Sequence, residues 1–210
     1  MSRTRQAQAT DGHAALAAVL QTLPSCKLVG NVRIVTRMRR PAEPTFQHAA
    51  DHIGVKLAKP ADAERRFDVG VTVRDGGTHY IDCMNTATIQ GANLKQACQV
   101  QGHAVEAGEN DKLLDYSKSI SNLDDKRRSI WFAVVDNNGT VGKNYTDFIK
   151  HIAKVAYPGS GNDGRYDVDG LRSRCVARLR VAAGCGVWRA NHRTITAWAA
   201  AGSTINDMAA

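Results

Sequence analysis

The spacing of apolar and polar residues predicts a β-hairpin near the middle of the chain. Residues 69–73 (VGVTV) alternate with a period of two, which is typical of a strand with one apolar face. A second short strand is predicted from His79 to Met84, and Asp75-Gly76-Gly77 supplies the turn between them. Residues 130–135 (IWFAVV) form a continuous apolar run, which indicates a strand that is buried on both faces.

Helical spacing predicts the remaining elements. A first helix is expected from Asp11, as its N-cap, to Leu23, followed by a strand in residues 27–38. Further helices are expected at 45–53, at about 103–120 and at 144–157, and a strand at 55–59 (VKLAK) is expected before the hairpin. The glycine-rich residues 158–164 predict a connector, and two arginine-rich helices are predicted after it.

This order of elements predicts the fold class and the domain organisation. Residues 43–157 read as helix, strand, strand, strand, helix, strand, which favours an α/β fold with a mixed sheet flanked by helices. Residues 1–42 are then an N-terminal helix and strand appended to that core, and residues 165–210 are basic C-terminal helices. The sequence thus predicts one α/β core with extra terminal helices.

Composition and charge restrict the function classes. The 210 residues carry a formal net charge of +8, and this basic balance favours nucleic acid as a partner. The five cysteines form no Cys-x-x-Cys pair, so neither a disulfide framework nor a zinc ribbon is indicated, and a reducing compartment is expected. No apolar run approaches the length of a membrane span and no secretory signal is evident, so we expect an intracellular protein, nuclear or cytoplasmic, with no membrane partner.

Two aspartates in the hairpin, Asp68 and Asp82, are the candidate chemical groups. A two-residue loop would put them on opposite faces of the sheet, whereas a three-residue loop that pairs Arg74 with Thr78 makes them diagonal neighbours on one face. One explanation is structural, with Asp68 ending a strand and Asp82 protecting an edge. The other is a site for a divalent cation, since hard cations such as Mg²⁺ prefer carboxylate oxygens.

The order of elements and four short motifs resemble the PD-(D/E)XK nuclease superfamily. More narrowly, residues 65–135 resemble the restriction-enzyme-like endonuclease domain at the C-terminal end of reverse transcriptases from non-LTR retrotransposons. The similar stretches are RRFDVGV, YIDCMN, KLLDY and IWFAVVDNNGTVG. The resemblance implies a restriction-endonuclease-like core (αβββαβ) and a Mg²⁺- or Mn²⁺-dependent enzyme that hydrolyses phosphodiester bonds of DNA. RNA or a fused reverse transcriptase are further partners that it implies.

The same resemblance implies the roles of individual residues. Asp68 and Asp82 would bind the metal ion, and a lysine would assist the attacking water or the phosphate. The wider superfamily places that lysine two residues after the second acid, where this chain has Met84. Retrotransposon domains take it from the next helix, where Lys112 matches the Lys-x-x-x-Tyr spacing with Tyr116. Glu109 falls near that helical face and is a candidate additional ligand.

The C-terminal arginines are candidate contacts to a nucleic-acid backbone, although a solvated helix face is an alternative explanation for them. They are Arg172, Arg174, Arg178, Arg180 and Arg189. His79, beside the hairpin, is a candidate phosphate contact. Two other functions remain open at this point: a decayed or non-catalytic nucleic-acid-binding module with the same fold, and a metal-free structural domain.

Overall fold

The structure is a computed structural model that describes residues 13–24, 26–29, 33–35, 38–40, 43–74, 77–86, 96, 99–136, 138–159, 167–184 and 196. Its helices are α1 (13–21), α2 (Phe46–Ile53), α3 (His103–Ser117), α4 (Lys143–Ala156) and α5 (168–184). Its strands are β1 (Cys26–Leu28), β2 (Arg33–Val35), β3 (Met38–Arg40), β4 (Val69–Val73), β5 (Gly77–Thr86) and β6 (Ile130–Asp136). Short 3₁₀ helices span Pro60–Glu64 and Asp124–Lys126.

Four strands form one mixed sheet in the order β1-β4-β5-β6. β4 is antiparallel to both β1 and β5, whereas β5 and β6 run parallel. Within the described part of the chain, β2 and β3 pair with each other as a separate antiparallel two-stranded sheet. The predicted α/β fold with a mixed sheet is therefore confirmed at this level.

Helices cover both faces of the sheet. As a result every residue of β6 is buried, and its side chains alternate between two cores. Trp131, Ala133 and Val135 join a core built with α1, α4 and α5. Phe132 and Val134 join a second core on the opposite face, built with α2 and α3. The sheet is thus the middle of three layers, and the two faces present different chemistry.

Most predicted elements lie within a few residues of their expected bounds. Thr45 caps α2 by accepting a hydrogen bond from the N–H of His48, and Gly54 ends that helix with φ 67°. The helix predicted at about 103–120 is α3, and the one predicted at 144–157 is α4. Asp11, the expected cap of α1, and the second predicted C-terminal helix lie outside the described residues.

The strand predicted at residues 55–59 was wrong. Its backbone does not pair with β4 but with the loop after α3, through one bridge between Leu57 and Ile120 and a hydrogen bond from the N–H of Ala58 to Ser119. The strand beside β4 is instead β1, from residues that we expected to be an appendage. Consequently α1 and β1 belong to the main sheet and its core.

The predicted hairpin exists, but its register differs by two residues of β5, because Gly70 pairs with Tyr80 and not with Asp82. Val73 pairs with Gly77 and Val69 with Ile81, so three residues separate the last pair, as expected, whereas the predicted pair of Arg74 with Thr78 does not form. Asp68 immediately precedes β4, and its backbone N–H donates to the carbonyl of Ile81, the residue before Asp82. Both aspartates therefore reach the same point of the sheet.

Among the described residues, no helix combines the length and the apolar character that crossing a membrane requires.

Candidate metal and phosphate site

Asp68 lies immediately before β4 begins, where β5 continues beside β6 without β4 on its other side. Its backbone N–H donates to the carbonyl of Ile81, and its Oδ2 accepts a 2.6 Å hydrogen bond from the N–H of Cys83. The carboxylate thus occupies the place that the next backbone carbonyl of a longer β4 would fill. The Asp68 carboxylate, and not a neighbouring strand, accepts the hydrogen bond from Cys83 here. The sheet is therefore open at this point, and the Asp68 side chain is 19% exposed.

Asp82 lies on the α3 face of β5, and Lys112 reaches it from α3. The Lys112 Nζ atom is 2.5 Å from Oδ2 of Asp82, with the side chains 24% and 9% exposed. A charge-assisted contact of this length, with the carboxylate largely removed from water, fixes both side chains. Asp68, Asp82 and Lys112, which the sequence named as site residues, therefore lie together, brought from the start of β4, from β5 and from α3.

The two carboxyl groups cannot both be ionised without cost. Burial, the charge of Asp82 and a hydrogen bond with Asp82 together raise the pKa of Asp68 to about 9, although the Cys83 N–H and Lys112 act in the opposite direction. At neutral pH the Asp68 carboxyl therefore keeps its proton. Taking up this proton on folding costs free energy at neutral pH, and a bound cation that replaced the proton would reduce that cost.

Tyr116 supports the pair from one turn beyond Lys112. Burial raises its pKa well above the usual range, and so do the charge of Asp82 and a hydrogen bond to that carboxylate. Arg65 lies over the Tyr116 ring, with 5.5 Å between the guanidinium carbon and the ring centroid, and pairs with Asp115 at 2.6 Å. Tyr116 therefore also contacts the site.

His13 is the site residue that sequence reasoning missed. Its Nε2 atom is 3.2 Å from Oδ2 of Asp68, and α1 brings it there because that helix packs on the sheet beside β4. His13, Asp68 and Cys83 each offer a ligand atom, and these atoms lie within 4.8 Å of one another. In the sequence, His13 stands 55 residues before Asp68 and follows no metal-binding spacing, so only the position of α1 reveals it.

Glu109 does not join the carboxylate pair. Its Oε1 accepts a 2.8 Å hydrogen bond from the N–H of Asn144 in the first turn of α4. Burial raises the pKa of Glu109, and the backbone N–H groups at the start of α4 partly oppose that effect. A side chain at Gly142 would collide with this carboxylate. Glu109 is thus a cap of α4.

His79 is not near the candidate site either. It is 4% exposed and lies on the opposite face of the sheet, where its Nδ1 accepts a 3.2 Å hydrogen bond from the indole of Trp131. His151 approaches its other ring nitrogen at 3.3 Å. Burial lowers the pKa of His79 to about 4. The expectation that His79 contacts phosphate is therefore wrong.

The predicted arginines differ in their surroundings. Arg172 donates to the carbonyls of Tyr157 and Gly159, and Arg178 donates to Thr22 at the end of α1. Arg174 and Arg180 are exposed on α5. Arg189 lies outside the described residues. Two of the four described arginines thus have structural contacts within the protein.

The donor set at the candidate site suits a hard divalent cation. Lys112 contacts Oδ2 of Asp82, and both His13 and the Cys83 N–H contact Oδ2 of Asp68, which makes the two Oδ1 atoms the candidate ligands. Two carboxylates with remaining positions for water and phosphate are what Mg²⁺ commonly uses in proteins. The residues present therefore fit such an ion.

No protein-family model matches the chain, and no curated protein or solved structure matches it either. The resemblance to retrotransposon endonuclease domains therefore rests on the motifs and their order in the sequence.

Proposed function

We propose that this chain is a metal-dependent DNA endonuclease domain of the retrotransposon type, with a restriction-endonuclease-like core. The observation that carries the proposal is the contact of Asp68, Asp82 and Lys112, three residues from separate elements, at a partly open point of the sheet. A buried carboxyl with a raised pKa, close to a second carboxyl and a lysine, is a common property of catalytic sites.

The order of elements supports the same proposal. Along the chain, α1, β1, β4, β5, α3 and β6 follow one another as helix, strand, strand, strand, helix, strand, if α2 and the β2–β3 hairpin are treated as insertions. The αβββαβ order expected for residues 43–157 does not form there, because residues 55–59 are not a strand; an order of the same kind that begins at α1 supports the proposal. In that order Asp68 immediately precedes the second strand, Asp82 lies on the third strand and Lys112 lies on the following helix.

In the proposed reaction, the chain's own residues orient the substrate and manage charge. A bound Mg²⁺ or Mn²⁺ would lower the pKa of a water molecule and offset the negative charge on the phosphate. Asp68 and Asp82 would hold that ion. Lys112 keeps the Asp82 carboxylate in place and presents a positive charge, a quarter exposed, towards an approaching phosphate. Tyr116 restrains Asp82 from the buried side.

The DNA backbone would be contacted by cationic side chains outside the site. Arg174 is exposed on α5, and Arg178 is exposed beside α1, the helix that carries His13 to the site. These two arginines are the strongest candidates within α5. Phosphate contacts of this kind position the substrate without reading its sequence.

The experiment that tests the proposal is nicking of supercoiled plasmid with Mg²⁺ or Mn²⁺ at low salt. We expect cleavage by the native protein and its loss in Asp82→Asn and in Lys112→Met. Asp111→Asn is the matched control, because Asp111 is an exposed neighbour of Lys112 on α3 and should leave nicking unchanged. Equal cleavage by all four proteins would indicate a contaminating nuclease. Absent cleavage with retained DNA binding would favour the non-catalytic module.

A second candidate function is a site for a softer metal ion held by His13, Asp68 and Cys83. The observation that favours it is the short separation of one nitrogen, one oxygen and one sulfur ligand atom. Imidazole and thiolate favour Zn²⁺ or Co²⁺ over Mg²⁺. Addition of Co²⁺ should then give a thiolate-to-metal absorption band that Cys83→Ser removes, while nicking with Mg²⁺ would be unaffected by that variant.

A further inference from the structure

A groove lies between α4 and α5, in the helical layer on the face of the sheet opposite Lys112. It encloses about 870 Å³ and is lined by side chains of both helices. Neighbouring helices pack with their axes about 8–10 Å apart, so a third helix can fit along such a groove. The groove is therefore of a size and shape that suits a peptide segment.

Part of the lining is apolar, and we call this part the floor of the groove. It consists of Ala153 of α4 and of Val176, Ala177 and Val181 of α5. Val181 is 61% exposed, which is the largest value among the three large hydrophobic residues that the described part of the chain leaves exposed. Nucleic-acid phosphates gain nothing from an apolar floor, whereas the apolar side of an amphipathic helix gains free energy by covering it.

The rim of the groove is positively charged. Lys150 and Lys154, both exposed and one turn apart, line it from α4, and Arg172 and Arg180 line it from α5. The acidic residue at the rim is Asp147, which pairs with Lys143 at 3.0 Å. The excess of positive charge favours an acidic occupant.

Arg172 gives this charge a fixed position. Its guanidinium donates to the carbonyls of Tyr157 and Gly159 and reaches Asp169 at 3.4 Å. Three of its five N–H donors are therefore used within the protein, which holds the guanidinium in one place. It still contributes positive charge to the rim.

We propose that this groove binds an acidic amphipathic helical segment of a partner protein. The apolar side chains of such a segment, spaced i, i+3, i+4 and i+7, would cover the floor, and its glutamates and aspartates would face Lys150, Lys154 and Arg180. The chain's own residues 185–210 do not match this chemistry, because they carry two arginines and one aspartate. The proposal goes beyond nuclease activity and does not depend on it.

The test uses the full chain and a fluorescein-labelled synthetic helix that has leucines at i, i+3, i+4 and i+7 and glutamates elsewhere. A scrambled peptide of the same composition is the control for charge alone. We expect the amphipathic peptide to bind and the scrambled one to bind about tenfold more weakly, as measured by fluorescence anisotropy. Equal binding of both peptides, or no binding of either, would overturn the proposal.

Variants of the groove locate the binding. Val181→Asp, and separately Lys150→Glu combined with Lys154→Glu, should each weaken the amphipathic peptide about tenfold. The matched control is Lys56→Glu combined with Lys118→Glu, which changes the charge equally at exposed positions away from the groove and should leave affinity unchanged. Circular dichroism verifies folding of each variant. If a labelled DNA duplex displaced the peptide and lost affinity in the same variants, the groove would be a nucleic-acid surface, and the proposal would be wrong.

Discussion

The contact between Lys112 and Asp82 should contribute several times more to stability than an ordinary surface ion pair. The carboxylate is 9% exposed and the Nζ–Oδ2 distance is 2.5 Å. Two unit charges about 4 Å apart attract by roughly 4 kcal/mol at the effective dielectric of a protein surface. Removing one partner of a buried pair costs about 3–5 kcal/mol. Because Lys112 is 24% exposed, we expect Lys112→Met to lower the free energy of unfolding by about 2–3 kcal/mol.

The assay is a double-mutant cycle of Lys112→Met and Asp82→Asn, by urea denaturation without divalent cations. We expect a coupling energy of about 2 kcal/mol, because the double variant leaves no uncompensated charge. The matched control is the pair of Lys143 and Asp147, which is 3.0 Å long but 87% and 46% exposed, and its coupling should be about 0.3–0.5 kcal/mol. Equal coupling in the two cycles would refute the view that burial makes the Lys112 contact special.

Three further predictions concern other parts of the molecule. His79→Gln should reduce acid sensitivity: the pKa of His79 is lowered from 6.5 to about 4 in the fold, so the native protein should lose up to about 3 kcal/mol of stability as pH falls from 6.5 to 4. Glutamine keeps an acceptor for the Trp131 indole without titrating. Identical pH dependence of the unfolding free energy in the native protein and the variant, measured by denaturant titration, would contradict this prediction. Gly142→Ala should destabilise the protein by about 1–3 kcal/mol, because the new Cβ collides with the Glu109 carboxylate that caps α4. Adding Glu109→Ala to this variant should recover part of the lost stability, and thermal midpoints measure both effects. Asp68→Asn should abolish nicking yet raise the thermal midpoint in EDTA, since it removes a carboxyl that is costly to bury. A lower thermal midpoint would contradict the raised pKa of Asp68.

The sequence predicted the elements whose signals are local. The unbroken apolar run gave β6, helical spacing gave α3 and α4, and Thr45 with Gly54 bounded α2 within one residue. The turn residues predicted the hairpin, but they allowed a two-residue or a three-residue loop and so left open whether the two aspartates share a face. These features follow from side-chain period and turn chemistry, which act over a few residues.

Long-range pairing was harder to predict. Residues 55–59 have strand composition, but their backbone bonds to the loop after α3, while the short segment Cys26–Leu28 takes the edge beside β4. Both segments are short and partly apolar, so composition cannot rank them. The choice depends on which one can pack against the helices already covering each face.

The residue types of the candidate site were determined by the sequence alone, since Asp68, Asp82 and Lys112 could be named from their motifs. Only the tertiary structure decided that Lys112 reaches Asp82, that Tyr116 supports it, and that His13 reaches Asp68 from a helix far away in the chain. It also assigned Glu109 to a helix cap and His79 to the opposite face. The physical reason is that a side chain's chemistry is a property of its residue, whereas its partners and its burial are set by contacts between elements that the chain brings together only on folding.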